Sequence, residues 1–222
     1  MTSNLWKKII PPDETSAAAQ FLVKIWKDIV RIHPNQLNYQ LREPELTEKL
    51  SFYLNVFKSE SGLTGFWINE DQKTCFDKQG KVVSRVKMDI TYFSNSGACT
   101  IELVFEFKKL SESSSLTTYC GKQGMRRFVD GDYALRQPLA IMVGLLEGKG
   151  SGNVIVNDLC KYLSKGRVVS SLQMVSGNNN QYIHRPSIAL KSAAEFDTEH
   201  LRLAIKSPPN SNITISHIFL TC

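Results

Sequence analysis

A mixed α/β (α+β) fold, a central mixed β-sheet flanked by helices, is predicted by three features of the chain. Apolar residues recur at helical spacing near the N-terminus, short alternating runs broken by turn formers begin at Thr64, and helical and strand-like segments follow toward the C-terminus. With 222 residues the chain is long enough for one unit with a sizeable core, taken as residues 1–222, with N-terminal helices within 16–58 and a core hairpin at 81–110.

Residues 16–32 place Ala19, Leu22, Ile25, Trp26 and Ile29 on one helical face, after a lead-in from Pro11 to Ser16 that is rich in capping residues. A second helix starts at Pro44, a favoured first-turn residue, buries Leu46, Leu50, Leu54 and Phe57, and ends before Gly62. Glu43 lies near its buried side, whereas Glu45 and Glu48 sit a quarter turn or more away. Turn formers at 69–71 and 77–80 then separate antiparallel strands. Residues 81–93 form the long strand that carries Asp89, and residues 94–97 turn the chain into the strand 99–110. Residues 117–128 and 133–146 read as helical, with a break or fresh start at Pro138. Residues 153–165 form one more helix closed by Gly166, and 168–175, 182–190 and 213–220 read as strands.

Lys and Arg number 27 against 21 Asp and Glu, a formal charge of +6 that suits a polyanionic partner without requiring one. The longest apolar run, residues 138–146, is far too short to cross a bilayer. Residues 1–8 lack the apolar stretch of a secretory signal, so the expectation is a cytoplasmic protein without membrane association. Cys75, Cys99, Cys120, Cys160 and Cys222 are spaced too widely for a zinc knuckle or a CxxC pair and read as reduced thiols. The four histidines match no triad or metal motif, and His217, alternating with Ile215 and Phe219, reads as packed or hydrogen-bonded.

The chemistry concentrates in the hairpin. In Ile101-Glu102-Leu103-Val104-Phe105-Glu106-Phe107-Lys108, strand alternation sends Glu106 and Lys108 to one side and Leu103, Phe105 and Phe107 to the other. A Glu-x-Lys alone is uninformative, since at about 6% usage for each residue one match per chain of this length arises by chance. The acid-x-Lys matches at 71–73 and 147–149 fall in turn-like polar segments. Only Glu106-Phe107-Lys108 sits in a strongly hydrophobic strand, follows a strand bearing Asp89, and comes after a helix that opens with glutamates. Magnesium takes oxygen ligands and keeps several waters, so Asp89 and Glu106, with a main-chain carbonyl, suffice to hold it against a phosphate; manganese can stand in for it. Lys108 would orient a water and offset charge on the phosphate oxygens. A tight turn centred near Ser96 sets Asp89 two or three residues out of register with Glu106, roughly 7–10 Å, so the strands must diverge or bulge there. The competing reading makes Glu102, Glu106, Lys108 and Lys87 cross-strand pairs on a solvated face.

This order, a helix-borne glutamate, a strand Asp, Glu-x-Lys and then a helix with basic residues, resembles the PD-(D/E)XK nuclease superfamily, the restriction endonuclease-like fold. The likeness spans roughly residues 43–146 and departs at Met88, where the signature has proline. The resemblance implies that the catalytic Asp is Asp89, the acidic ligand Glu106, the lysine Lys108, and the accessory glutamate Glu43, with Glu45 or Glu48 as alternatives. It also implies a restriction endonuclease-like core, magnesium dependence and cleavage of DNA, with RNA as the alternative substrate. A role as effector nuclease in prokaryotic anti-phage defence or restriction follows from family analogy alone. The alternative from the binding class is a catalytically inactive nuclease-like subunit that holds nucleic acid or scaffolds a complex.

The segment from Tyr119 to Phe128, followed by Asp130-Gly131-Asp132-Tyr133-Ala134, looks like the post-motif helix of restriction endonuclease-like proteins. Lys122, Arg126 and Arg127 are spaced to contact phosphates, and Gln123 to steady a site ligand; the other reading is a solvated face with Arg127 paired to Asp130. Tyr119, Phe128 and Tyr133 read as core. No P-loop or recognition module is visible in the sequence, so targeting is expected from an ATPase or sensor partner or from homo-oligomerisation.

Overall fold

The computed structural model describes residues 12–76, 79, 82–95, 100–111, 113–148, 152–177, 181–203 and 211–222. Two helices lead the chain, α1 (Pro12–Ile32) and α2 (Glu43–Val56). Ala18, Ala19, Leu22, Ile25, Trp26 and Ile29 of α1 and Leu46, Leu50 and Leu54 of α2 are buried against one face of the sheet. Each fully buried large side chain of this set contributes about 1.5–3 kcal/mol of transfer free energy, which is why so apolar a stripe cannot stay in water. The Trp26 indole N–H also donates to the Thr221 carbonyl, 2.9 Å away, pinning α1 across the last strand.

The sheet has seven strands: β1 (Phe66–Phe76), β2 (Val82–Ser94), β3 (Ile101–Leu110), β4 (Leu139–Leu146), β5 (Ile183–His184), β6 (Phe196–Leu201) and β7 (Asn212–Thr221). Their order is β1-β2-β3-β4-β7-β6-β5. β1, β2 and β3 are an antiparallel meander, β3, β4 and β7 are mutually parallel, and β6 and β5 add antiparallel. The chain therefore needs a crossover between β3 and β4, and α3 (Ser113–Cys120) and α4 (Met125–Val129) supply it. These two, with α5 (Gly152–Leu163) and α6 (Gly166–Ser171), cover the opposite face through Tyr119, Phe128, Leu159 and Val168. Helices on both faces of a mixed sheet match the predicted class.

Several local expectations are corrected. Residues 139–146 form a strand, not a helix: all eight are buried, because β4 lies between β3 and β7 with helices above and below, and a continuous apolar run carries no period to distinguish the two. The predicted helix 117–128 is two short ones, since Gly121 and Gly124 close a turn between them. A Cβ on Gly124 would lie 2.0 Å from the Tyr119 carbonyl oxygen, so only glycine lets α4 begin so close to α3. Gly166 opens α6 rather than closing α5, and α6 replaces the strand predicted at 168–175, of which only a bridge between Met174 and His200 remains. The strand at 182–190 shrinks to Ile183–His184, and β6 had no counterpart in the prediction. Residues 69–71, predicted as a turn, run inside β1; residues 77–78, 80–81 and 96–99, and with them Cys99, lie outside the described residues.

The turn formers at 69–71 nevertheless act. Glu70 adopts φ +54°, a left-handed conformation in mid-strand, and stands across from Asp89, between the pairs Asn69–Ile90 and Asp71–Met88. The pleat breaks there: Met88 and Ile90, two residues apart, enter cores on opposite faces of the sheet. Such irregularities re-aim a side chain beside a site, and the one re-aimed here is Asp89.

Candidate functional site

The register brings Asp89 level with Glu106. β2 and β3 pair from Ser94–Ile101 to Ile90–Phe105, and the ladder ends there. The connection is longer than a tight turn at Ser96, so the predicted offset of two or three residues vanishes. Beyond this point β2 pairs with β1 and β3 pairs with β4, and the strands part as the sequence reading required. The gap is bridged by the Phe107 N–H, which donates to Asp89 Oδ2 at 2.8 Å.

Four side chains converge at the fork. The Lys108 ammonium lies 2.9 Å from Glu106 Oε1, 3.3 Å from Glu43 Oε2 and 4.0 Å from Asp89 Oδ2. It also donates to the Phe107 carbonyl at 2.6 Å. Glu43, the first residue of α2, is held by the Lys109 N–H at 2.8 Å, and an acid in the first turn of a helix is favoured by the positive end of its dipole. Glu45 instead folds back on Arg42, 2.9 Å away, and Glu48 is exposed, so Glu43 alone of the three joins the cluster.

Burial decides against the solvated hairpin. Glu106 is 0% exposed and Lys108 9%, while Lys87 pairs with Glu70 on β1 instead. Burial, reinforced by the charge of Asp89, pushes the Glu106 carboxyl up to about 7 against the pull of Lys108 and Arg127. Burial also raises Asp89, partly offset by Lys108 and by the Phe107 hydrogen bond. For Lys108, burial pulls down but the carboxylates of Glu106, Asp89 and Glu43 outweigh it and hold the ammonium above its ordinary value. Lys108 is thus a fixed cation rather than a base.

Among the described residues, Glu106 Oε2 is buried without a hydrogen-bond partner. An orphaned buried carboxylate oxygen costs a kilocalorie or more and calls for a reason. Among the described residues no group of three His, Cys, Asp or Glu side chains is arranged to hold a metal ion. The donors on offer are the carboxylates of Asp89 and Glu106 and the Phe107 carbonyl, a sparse oxygen set of the kind magnesium accepts while keeping waters. The Lys108 ammonium shows that these oxygens, with Glu43, already tolerate a positive charge at their centre.

The basic helix divides. Arg127 Nη1 reaches Glu106 Oε1 at 3.4 Å, and its guanidinium lies over the Tyr133 ring, 4.9 Å from the centroid. Arg127 also donates to Tyr133 Oη, which donates to the Lys87 carbonyl. It is Arg126, not Arg127, that pairs with Asp130, at 3.2 Å. Lys122 and Gln123 are exposed in the turn before α4, with no hydrogen bond or ion pair to the acidic cluster among the described residues. Tyr119, Phe128 and Tyr133 are core residues. Sequence reading missed the part of Tyr133 in holding Arg127; nothing in the local pattern marks a contact to a strand 46 residues away. Cys120, Cys160 and Cys222 are free thiols, and burial pushes Cys120 up to about 12, which leaves it an inert apolar side chain.

No helix among the described residues is long and apolar enough to cross a membrane. No protein-family model, no curated protein and no solved structure matches this chain.

Proposed function

We propose that this protein is a divalent-metal-dependent nuclease that hydrolyses phosphodiester bonds of DNA, with a restriction endonuclease-like core and the PD-(D/E)XK residues Asp89, Glu106 and Lys108. The observation that carries the proposal is the Lys108 ammonium among the carboxylates of Glu43, Asp89 and Glu106, beside the unpaired Oε2 of Glu106. The unpaired oxygen is open to a ligand such as a metal ion. The mixed sheet, with two acids on neighbouring strands and a third on the helix preceding them, agrees with the core that the resemblance implies.

A magnesium or manganese ion held by Asp89 and Glu106 would supply a polarised phosphate and an acidified water. The protein does the rest. The Asp89 carboxylate is locked by the Phe107 N–H, so it faces the site without reorganisation. Glu43 and Lys108 steady each other, and the ammonium, kept charged, offsets negative charge growing on the phosphate oxygens as water attacks phosphorus and the ester oxygen leaves. In this reading the exposed Lys122 and the half-buried Arg126 of the α3–α4 segment would meet flanking phosphates. Targeting would then come from a partner subunit or a second copy, and a defence role is the setting such an effector suits.

The fact that Lys108 and Arg127 together satisfy Glu106 Oε1 favours the second reading, an inactive nuclease-like subunit that binds nucleic acid. Plasmid, single-stranded DNA and RNA incubated with the protein in magnesium, manganese or chelator separate the two. Metal-dependent cutting abolished in Asp89→Asn and Lys108→Ala supports the nuclease; binding without cutting selects the scaffold; neither binding nor cutting removes both.

A further inference from the structure

Arg127 is held in place but not used up. A guanidinium has five N–H donors, and its Nε/Nη2 edge can grip two oxygens of one phosphate or carboxylate at once. The hydrogen bonds of Arg127 run from Nη1, to Glu106 Oε1 and to Tyr133 Oη, and Nε and Nη2 have no protein partner among the described residues. Nor does the bond to Glu106 hold it firmly: 3.4 Å is long for a charge-assisted contact, which ordinarily closes to about 2.7–2.9 Å. The nearer acid on its own segment, Asp130, is already taken by both Nε and Nη2 of Arg126. The Tyr133 ring beneath fixes the guanidinium plane, and 30% of the side chain remains open to solvent.

We propose that Arg127 is the substrate-phosphate ligand of this site, its free Nε/Nη2 edge taking two non-bridging oxygens of the scissile phosphodiester while its long contact to Glu106 gives way. The proposal rests on the nuclease reading and assigns within it the side chain that meets the reacting group. Lys108, enclosed by carboxylates, cannot leave them without stranding their charge. Arg127 can, because Glu106 keeps its 2.9 Å partner in Lys108.

The test is equilibrium binding of a duplex oligonucleotide in calcium over a salt series, followed by single-turnover cleavage in magnesium, for wild type, Arg127→Gln, Arg127→Lys and Arg31→Gln. Arg31 pairs with Asp28 on the surface of α1 and controls for net charge. Arg127→Gln is expected to flatten the slope of log affinity against log salt by about 0.9, the loss of one phosphate contact, and to slow cleavage at saturating DNA about 100-fold. Arg127→Lys is expected to keep most of the slope and still lose about 10-fold in cleavage, since a point charge cannot grip two oxygens. It is also the variant to rely on should Arg127→Gln fold poorly. Wild-type slope with cleavage within about two-fold of wild type in Arg127→Gln, or in Arg127→Lys if only that variant folds, overturns the proposal and leaves the nuclease standing. Flattening by Arg31→Gln to the same degree also overturns it. A wild-type protein that neither binds nor cuts removes both together.

Discussion

Glu106 on β3 and His217 on β7 are both fully buried and, level with Met142 of β4, lie on the same face of one sheet, yet their polar atoms are treated differently. Around His217 every group is spoken for. The Leu172 carbonyl can only accept, so His200 Nδ1 donates to it at 2.8 Å and His200 Nε2 must accept from Thr198 Oγ1, also at 2.8 Å. Thr198 Oγ1 is then left to accept from His217 Nε2 at 3.0 Å, and Tyr119 Oη donates to His217 Nδ1 at 2.9 Å. The chain of donors runs one way from end to end, and neither ring can take a second proton without breaking it. Burial accordingly holds His200 down to about 4 and His217 well below its usual range. Around Glu106 one oxygen stays orphaned, three acids crowd one lysine, and the edge is open. A closed network specifies and stabilises a fold; an open one, kept despite its cost, is what the proposed nuclease site requires.

That contrast can be broken or sharpened in order of effect. Asp89→Asn and Glu106→Gln should lower cleavage by at least about 10³-fold while the proteins stay folded, with Glu106→Gln melting no lower than wild type at pH 8 in chelator. A folded Glu106→Gln that still cuts would erase the distinction. Thr198→Val should do the opposite, leaving two imidazole nitrogens unpaired at a cost of about 2–4 kcal/mol in denaturant unfolding, with cleavage per folded molecule unchanged.

The two clusters should also tilt stability against pH in opposite directions. The folded-state value of Glu106, about 7, lies above its unfolded one, so the native state holds a proton that the unfolded chain releases; stability falls as pH rises from about 4.5 to 7, by roughly 3 kcal/mol. His200 is depressed to about 4, so its contribution is intact above about 6.5 and is lost as pH falls toward 4, by a similar amount. Urea midpoints across pH, in chelator, should lose the first slope in Glu106→Gln and keep the second. Magnesium or manganese at about 100 times its dissociation constant should raise stability by about 2.7 kcal/mol, an increment absent in Glu106→Gln. The smallest effect separates the helix glutamates: Glu43→Gln should slow cleavage, and Glu45→Gln, whose side chain folds back on Arg42, should leave it unchanged.

The comparison also marks how far local pattern reaches. Alternation along β3 put Glu106 and Lys108 on one side with phenylalanines on the other, and that is legible because a strand turns each side chain by half a revolution whatever surrounds it. Glu43 was legible as the acid nearest the buried stripe of α2, by the same reasoning with a helical period. The register was not, because it depended on the length of a connection rather than on the strands. The left-handed Glu70 hid behind turn formers that looked like a chain reversal. β4 was misread because a strand buried on both faces has no alternation to show. His217 was legible as packed or hydrogen-bonded, but its partners in the Tyr119–His217–Thr198–His200 chain were not, since the first link joins residues 98 apart.

The amino-acid sequence by itself determined which residues share a face, where the second helix begins, and that acids, a lysine and arginines occur together in a hydrophobic setting, since each depends on the geometry of a single element; the first helix begins at Pro12, inside the stretch read as its capping lead-in. Tertiary structure decided which of them meet. Level registration of Asp89 with Glu106, the parting of β2 and β3, the choice of Arg127 over Arg126 and the oxygen left unpaired all come from packing distant elements against one another. Such packing sets distances and desolvation, and on these the electrostatics of the site depend.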